Sequence, residues 1–459
     1  MHATITPAVA SSGPMTGRRS TLLVAVAATF AVLACYTLPV TTLGDTAATV
    51  HANTDGQAWI LSSMSLGLAA SLLVIGAIAD DHGRRRVFVA GAALFAASSV
   101  LAALAPTTLV FVIARLLQGV GGAALTVCSL GLLAHAYPEP AHRARVTGIW
   151  GAALGAGIAV GPLMASGLES LSGWRASYWC IAALAAVICA AGRFALDESS
   201  AAEPRPVDYL GGTLLTFGVS ALLAGLVEGR DGWTRPITIV LLGAGVVLLD
   251  VFRRSQASRS AAMLEPALFR SRAFVAATIG ATANGLGAIG LMSFEPSLVE
   301  RGLQRSILSA SVALLAWSGV SVLTALLARR LPARLHPHRQ MTGALVAIAI
   351  GQLLLTGVAT DSTTLRLVPG LLLAGVGSGM LNASLARQAV ASVPAMRAAV
   401  GSGANNTARY IGAAIGVTIV VIIAGRSTPA GIVSGWNIAA IVTAGWSLLG
   451  ALAITACRT

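Results

Sequence analysis

Long apolar segments recur along almost the whole chain, and short connectors rich in arginine separate them. A membrane-spanning helix needs about 20 consecutive apolar residues. Only 10% of the 459 residues are charged and 56% are hydrophobic, whereas about 25% of the residues of a soluble domain are charged. The pattern therefore predicts an all-α integral membrane protein with many spans.

On this length rule the sequence divides into fourteen predicted spans. They are 22–44, 57–79, 87–105, 108–134, 146–169, 177–196, 208–228, 236–252, 273–295, 307–328, 341–360, 364–386, 399–424 and 434–456. Glycine, proline and arginine residues that interrupt the apolar runs set the boundaries. The pair Arg18-Arg19 resembles part of an export signal, but the apolar run continues to Leu43, so we interpret it as a retained first span.

The arginines of the connectors predict the orientation of the chain. The net charge is +13, and the 30 basic residues are all arginine. With the N-terminus inside, the cytoplasmic connectors hold 21 arginines and the outer connectors hold seven, while Arg115 and Arg409 lie within spans. The positive-inside rule therefore predicts a cell-membrane protein with both termini in the cytoplasm. Because nearly all of the arginines lie in or beside the connectors, no nucleic-acid partner is expected.

An arginine-rich connector appears at two equivalent places, 80–86 after the second span and 328–339 after the tenth. This repeat predicts two six-helix halves with two helices inserted between them, the usual kind of build for a secondary transporter. The predicted divisions are a cytoplasmic tail at 1–21, a bundle at 22–197, a linker at 198–270 with helices at 208–228 and 236–252, and a second bundle at 271–457. We expect the connectors at Asp80 and Arg329 to act as cytoplasmic latches.

Four groups of residues carry recognisable motifs. They are Gly76, Asp80, Gly83, Arg84 and Arg85 after the second span; Arg115, Gln118 and Gly119 in the fourth; Gly157, Gly161 and Pro162 in the fifth; and Asn405, Asn406 and Arg409 in the thirteenth. Together they resemble the motifs of the major facilitator superfamily, specifically its fourteen-span drug:proton antiporters. The resemblance implies the major facilitator fold and alternating access.

The resemblance also implies a function. It implies export of hydrophobic or amphipathic small molecules, such as drugs and antibiotics, in exchange for protons. A monomer in the lipid bilayer is expected, with the proton gradient as energy source and with no cofactor or metal. The fifth span would then seal the two halves against proton leak, although close packing alone explains its glycines equally well. For Asn405, Asn406 and Arg409, substrate contact, gating and packing stay open.

The family pattern assigns the latch to Asp80. In relatives this acid meets the cytoplasmic end of the helix that corresponds to the thirteenth span, here near 401–403, where free amides and the helix dipole favour a carboxylate. Asp80→Asn is therefore expected to impair transport without lowering membrane insertion. Relatives usually carry a basic residue in place of Asp81, so Asp81→Arg is expected to be mild.

The acids available for proton coupling depart from the pattern. Relatives often carry an acid in the middle of the first helix, but residues 34–39 have none. A buried Arg115 requires a carboxylate or a ring of acceptors. Asp45 is the first candidate, because it lies near the outer end of the first span at a depth comparable to that of Arg115, and Glu169 at the outer end of the fifth span is the second. In the second half, Glu295 either lies recessed and exchanges protons or stays in water at the headgroups. We predict Asp45, Arg115 and Glu295 as the coupling group.

Alternatives to drug antiport stay open. The missing acid of the first helix favours an exporter of one specific metabolite or lipid, or a facilitator without proton coupling. Outside transport, the alternative is a membrane-embedded enzyme or a receptor on the same fold. A GxxxxGK[ST] phosphate loop is excluded because the chain has no lysine, and neither the cysteines nor the histidines have metal-ligand or catalytic spacing.

Overall fold

A computed structural model describes residues 15–200, 208–230, 232–257, 266–328 and 336–457. Every regular element in these ranges is helical. The predicted latch residue Arg329 lies outside the described residues, as do most of the predicted tail at 1–21 and parts of the predicted linker.

The first half of the chain forms seven helices. They are α1 (Met15–Thr37), α2 (Pro39–Thr49), α3 (Thr54–His82), α4 (Arg84–Leu104), α5 (Thr108–Ala136), α6 (Pro140–Ser172) and α7 (Arg175–Ala195). Helix α2 is separate from α1, because Pro39 lacks the N–H that would bond to the Cys35 carbonyl in an unbroken helix. Gly83 separates α3 from α4 with φ +116°, a conformation that glycine adopts without steric cost.

The second half follows two helices that lie in the predicted linker. These two are α8 (Tyr209–Glu228) and α9 (Pro236–Ala257). The second half contains α10 (Arg272–Asn284), α11 (Gly290–Met292), α12 (Glu295–Ser297), α13 (Ile307–Leu327), α14 (Pro337–Leu354), α15 (Val368–Ala391), α16 (Ala398–Ala424) and α17 (Pro429–Ala456). Helices α10 to α12 form one broken span, because π-helical turns at Gly285–Ile289 and Leu298–Gly302 interrupt it.

Thirteen helices of the described part are long and apolar enough to cross a membrane. The predicted span at 341–360 is the exception. It forms α14, which begins earlier, at Pro337, with the polar sequence Pro-His-Arg-Gln, and ends at Leu354. Helix α14 is nevertheless part of the bundle, since Gly351 lies directly against Ala374 of α15 and the Trp436 indole of α17 donates to the Leu355 carbonyl at 2.9 Å.

The two halves meet through α3 and α6 of the first half and α13, α15 and α16 of the second. The closest approaches lie toward one end of the molecule, the end that contains Asp80. A Cβ added at Gly76 would stand 2.7 Å from the Ala399 carbonyl oxygen, and one added at Gly403 would stand 2.6 Å from that of Leu72. The absence of side chains at these glycines lets α3 and α16 touch backbone to backbone, so the halves are closed at the Asp80 end.

Helices α8 and α9 lie at the periphery. Thr216 of α8 donates to the Ala70 carbonyl of α3 at 3.2 Å. Helix α9 packs on α8 through small residues such as Gly225 and Gly245 and exposes apolar side chains on its other face, including Val240, which is 63% exposed. An exposed apolar face of a spanning helix is the expected surface toward lipid tails.

Candidate functional site

Asp80 joins the two halves at their closed end. Its side chain is fully buried. Oδ1 accepts the backbone N–H of Ala399 at 3.1 Å, and Oδ2 accepts that of Val400 at 2.8 Å. Both amides belong to the first turn of α16, where N–H groups have no partner within the helix and the dipole favours negative charge. The predicted contact with this helix end is present, at residues 399 and 400 rather than at 401–403.

Arg84 supports the same carboxylate. The guanidinium is 3% exposed, and its Nη2 lies 2.7 Å from Oδ1 of Asp80. Nη2 also donates to the carbonyls of Ala395 and Met396, both at 3.1 Å. Arg84 therefore binds the segment just before α16 while it neutralises the acid that binds the start of α16. The sequence motif that pairs these two residues thus forms a single inter-half joint, which we call the latch (Asp80, Arg84 and the segment 395–400).

Glu198, which follows α7, is a residue that the sequence analysis missed. Its carboxylate accepts the backbone N–H of Arg85 at 3.0 Å and that of Arg86 at 3.3 Å, so it caps the start of α4. A Cβ added at Gly83 would stand 2.9 Å from this carboxylate. Arg85 itself donates to the Arg193 carbonyl of α7. The start of the linker thus holds the loop that carries the latch.

Asp81 makes a second ion pair between the halves. Both of its carboxylate oxygens lie 3.1 Å from Nη1 of Arg397, and the two side chains are only 11% and 13% exposed. The sequence analysis did not anticipate this partner, because Arg397 is more than 300 residues away and no sequence pattern links the two positions.

We expect Asp81→Arg to reduce transport at least about tenfold rather than mildly. Two like charges about 4 Å apart near a protein surface repel by about 4 kcal/mol, and this substitution places an arginine against Arg397. The double variant Asp81→Arg with Arg397→Asp should recover most of the activity, as measured by dye efflux from cells. Glu139→Arg, at an exposed residue with a local His142 partner, is the control. Wild-type efflux from Asp81→Arg alone would contradict the assignment.

Arg115 is held by carbonyl oxygens. It is 0% exposed. Nη1 donates to the Cys35 carbonyl at 2.9 Å and to Oε1 of Gln118 at 3.0 Å, and Nη2 donates to the Tyr36 carbonyl at 3.3 Å. The predicted ring of acceptors is present. Pro39 is the sequence signal for it, because its missing N–H leaves the Cys35 carbonyl free to accept from Arg115.

The predicted pairing of Asp45 with Arg115 is wrong. Asp45 is exposed on α2 and lies within hydrogen-bonding reach of Glu169 at the end of α6. The two candidate acids for Arg115 therefore face each other instead. The reason is the break at Pro39, beyond which the chain forms a separate helix. The predicted depth of Asp45 assumed that the first span is one continuous helix, and it therefore does not hold.

The remaining motif residues of the first half bring helices together. Gln118 donates through Nε2 to the Ser99 hydroxyl of α4 at 3.0 Å, and Gly119 lies against the Met64 carbonyl of α3. Gly157 and Gly161 lie against the backbone of α1 at Phe30 and Ala34. Pro162 lies inside α6, and its carbonyl accepts the Thr41 hydroxyl of α2 at 3.4 Å. These residues pack helices within one half.

The polar group of α16 is buried. Asn405 donates to the Ala277 carbonyl of α10 at 3.0 Å, and Asn406 donates to the Ser402 carbonyl at 2.9 Å. Arg409 is 7% exposed, donates to Oδ1 of Asn406, and lies 5.3 Å from the centre of the Tyr410 ring. The sequence placed Asn405 and Arg409 on one face, but the partner of Arg409 is Asn406.

Glu295 lies recessed at the far end of the broken span. The residue is 0% exposed, and neither carboxylate oxygen has a hydrogen-bond partner among the described residues. Apolar neighbours on the same span, such as Leu291, Leu298 and Val299, are buried with it. The π-helical turns on both sides of Glu295 are of a kind that occurs frequently at functional sites. Of the two positions that the sequence left open for Glu295, the recessed one is observed.

Sequence comparison agrees with this geometry. The profile of the Major Facilitator Superfamily matches residues 21–417. The chain belongs to the major facilitator superfamily. It is 30% identical over 369 residues to the multidrug resistance protein Stp of Mycobacterium tuberculosis, covering 80% of this chain and 68% of that protein. It is also 30% identical over 382 residues to the puromycin resistance protein pur8 of Streptomyces alboniger, covering 81% and 75%.

Solved structures show the same fold. The human organic anion transporter MFSD10 (TETRAN) superposes with a TM-score of 0.71 at 16% identity, covering 95% of this chain and 99% of that one. The proton:xylose symporter XylE superposes with a TM-score of 0.68 at 14% identity, covering 95% and 94%. At these identities the likeness concerns the fold alone. In this major facilitator protein, the latch and the close α3–α16 contact lie at one end of the interface between the halves, and Glu295 lies toward the other.

Proposed function

We propose that the protein is a drug exporter of the cell membrane that exchanges hydrophobic or amphipathic small molecules for protons. The observation that carries the proposal is the latch, a buried ion pair and two backbone amides that join the halves at the Asp80 end. Such a joint suits a carrier whose halves rock about a central site. Relatives named for multidrug and puromycin resistance support the substrate class.

Glu295 is the proposed coupling acid, rather than Asp45. Ionising a carboxylate without a hydrogen-bond donor costs several kcal/mol, so we infer that Glu295 carries a proton while it is buried and releases it when the span moves. Arg115, held by carbonyls, positions α1 against α5. A facilitator without proton coupling is the second candidate, because Arg115 forms no ion pair with any described carboxylate.

We further propose that the latch end faces the cytoplasm, since the arginine-rich connectors belong on that side. The described conformation then opens away from the cytoplasm. The same assignment places both termini inside. A monomer suffices for this cycle, with the proton gradient as its only energy source.

A transport assay tests the proposed function. Proteoliposomes that contain the purified protein are loaded with xanthene dyes. An imposed pH gradient that drives protons in one direction should accelerate dye movement in the opposite direction. If the dye moves at the same rate with and without the pH gradient, the protein is a facilitator without proton coupling. Protein-free liposomes measure the leak.

A further inference from the structure

The middle of the molecule contains two buried positive charges that no described carboxylate neutralises. Arg115 is 0% exposed and Arg409 is 7% exposed. The Nε atom of each has no hydrogen-bond partner among the described residues, and neither side chain forms an ion pair there. A buried charge without a counter-charge is costly in a membrane, so these two guanidinium groups favour binding of an anion.

Two tyrosines connect these arginines across the interface between the halves. The ring of Tyr36 on α1 meets the ring of Tyr410 on α16 edge-on, with centroids 6.3 Å apart. The Tyr36 carbonyl accepts from Arg115, and the Arg409 guanidinium lies over the Tyr410 ring. Arg115, Arg230 and Arg409 all lie within electrostatic range of the Tyr36 hydroxyl. Tyr36 is partly exposed and is the most exposed of these four residues, since Tyr410 and the two arginines are buried.

The charged groups around the junction leave it positive. Arg230 follows α8, has partners of its own, and donates to the Thr418 hydroxyl of α16 at 3.4 Å. The acid near it in sequence, Glu228, accepts the Trp59 indole N–H at 3.0 Å. On α1 itself, residues 34–39 contain no acid. The usual means of binding an organic cation, a carboxylate beside aromatic rings, is therefore absent from α1 at this junction.

We propose that the preferred substrates are amphipathic anions, whose acidic group binds at the Tyr36–Tyr410 junction under the positive potential of Arg115 and Arg409. This inference rests on the proposed export function and specifies its substrate class. The tyrosine hydroxyls donate to a carboxylate, phenolate or sulfonate group, while the rings contact the apolar body of the substrate. An organic cation of the same shape meets two like charges there.

Binding to two dyes of one scaffold tests the inference without any proton gradient. Fluorescein is an anionic xanthene, and rhodamine 123 is a cationic one. We expect purified wild-type protein in nanodiscs to bind fluorescein at least about tenfold more tightly than rhodamine 123, as measured by fluorescence anisotropy. Equal affinities, or tighter binding of rhodamine 123, would overturn the inference.

Variants locate the site. Arg409→Gln should weaken fluorescein binding at least about tenfold without weakening rhodamine 123 binding, and Arg409→Lys should restore much of the loss because it restores the charge. Tyr36→Phe, which keeps the ring and all charges, should weaken binding of the anionic fluorescein without weakening binding of rhodamine 123. Arg426→Gln, an exposed arginine just beyond the same helix, is the control. An equal loss of both dyes in Arg409→Gln with unchanged thermal stability would overturn the assignment of the site.

The binding assay separates failure of this inference from failure of the proposed function. Selective anion binding without gradient-driven efflux would leave the inference standing and overturn antiport. Gradient-driven efflux of rhodamine 123 by a protein that does not prefer fluorescein would overturn the inference and leave antiport standing.

Discussion

Asp80→Asn is expected to abolish transport, with efflux at least about 100-fold below wild type, while the protein stays in the membrane. The carboxylate accepts the Ala399 and Val400 amides and neutralises Arg84. An asparagine has only one oxygen to accept from the two amides and from Arg84, and its NH₂ group would face another donor. Removing one partner of a buried ion pair typically costs about 3–5 kcal/mol, because the other charge stays buried. The conformation closed at the latch should lose most of its population.

The matched control for this substitution is Asp250→Asn. Asp250 pairs with Arg253 and Arg254 on α9, where its side chain is 38% exposed, and exposed pairs contribute only about 0–1 kcal/mol. Both variants should reach the same abundance in membranes, as measured by quantitative blotting beside dye efflux. Similar efflux from the two variants would mean that the Asp80 connector only fixes topology.

Glu295→Gln is expected to remove the effect of the pH gradient while it preserves downhill movement of substrate. Glutamine has the shape of a protonated glutamate but cannot release a proton. Neither carboxylate oxygen has a partner among the described residues, so the substitution takes no acceptor away from a donor of the protein. Gradient-driven transport in proteoliposomes should fall at least about tenfold, to the rate without a gradient, and substrate exchange at equal pH should continue.

Glu300→Gln is the control for the coupling acid. Glu300 lies in the second π-helical turn of the same span and is only partly buried. It should retain gradient-driven transport. If Glu295→Gln also retains it, coupling lies elsewhere, and the pair of Asp45 and Glu169 becomes the next group to substitute.

Apolar runs of span length predicted the helices, whereas the family resemblance predicted the latch acid. Free amides at a helix N-terminus favour a carboxylate, but the resemblance supplied the pairing of Asp80 with the start of α16. The sequence could not decide whether Glu295 is buried or exposed to water, because its burial depends on how the broken span packs and not on the composition of that span.

Partners far apart in the chain were not predictable. Arg397 lies opposite Asp81, and Glu198 caps α4, because the two halves and the linker converge at one end of the bundle. No periodicity encodes that convergence. The predicted position of Asp45 was wrong for a different reason, since the first helix is interrupted before Pro39 and the prediction assumed one continuous helix. The same proline explains why the Cys35 carbonyl is free to accept from Arg115, and this could have been inferred from the sequence alone.

Helix α8 is hydrogen-bonded to both halves of the molecule. Thr216 donates to Ala70 of α3, while Arg230 and the Leu226 carbonyl meet Thr418 of α16, at 3.4 and 3.5 Å. The contact with α16 lies far from the latch along that helix. In the proposed rocking cycle, a helix hydrogen-bonded to both halves would restrain the angle through which they turn, and with it the width of the opening offered to a substrate.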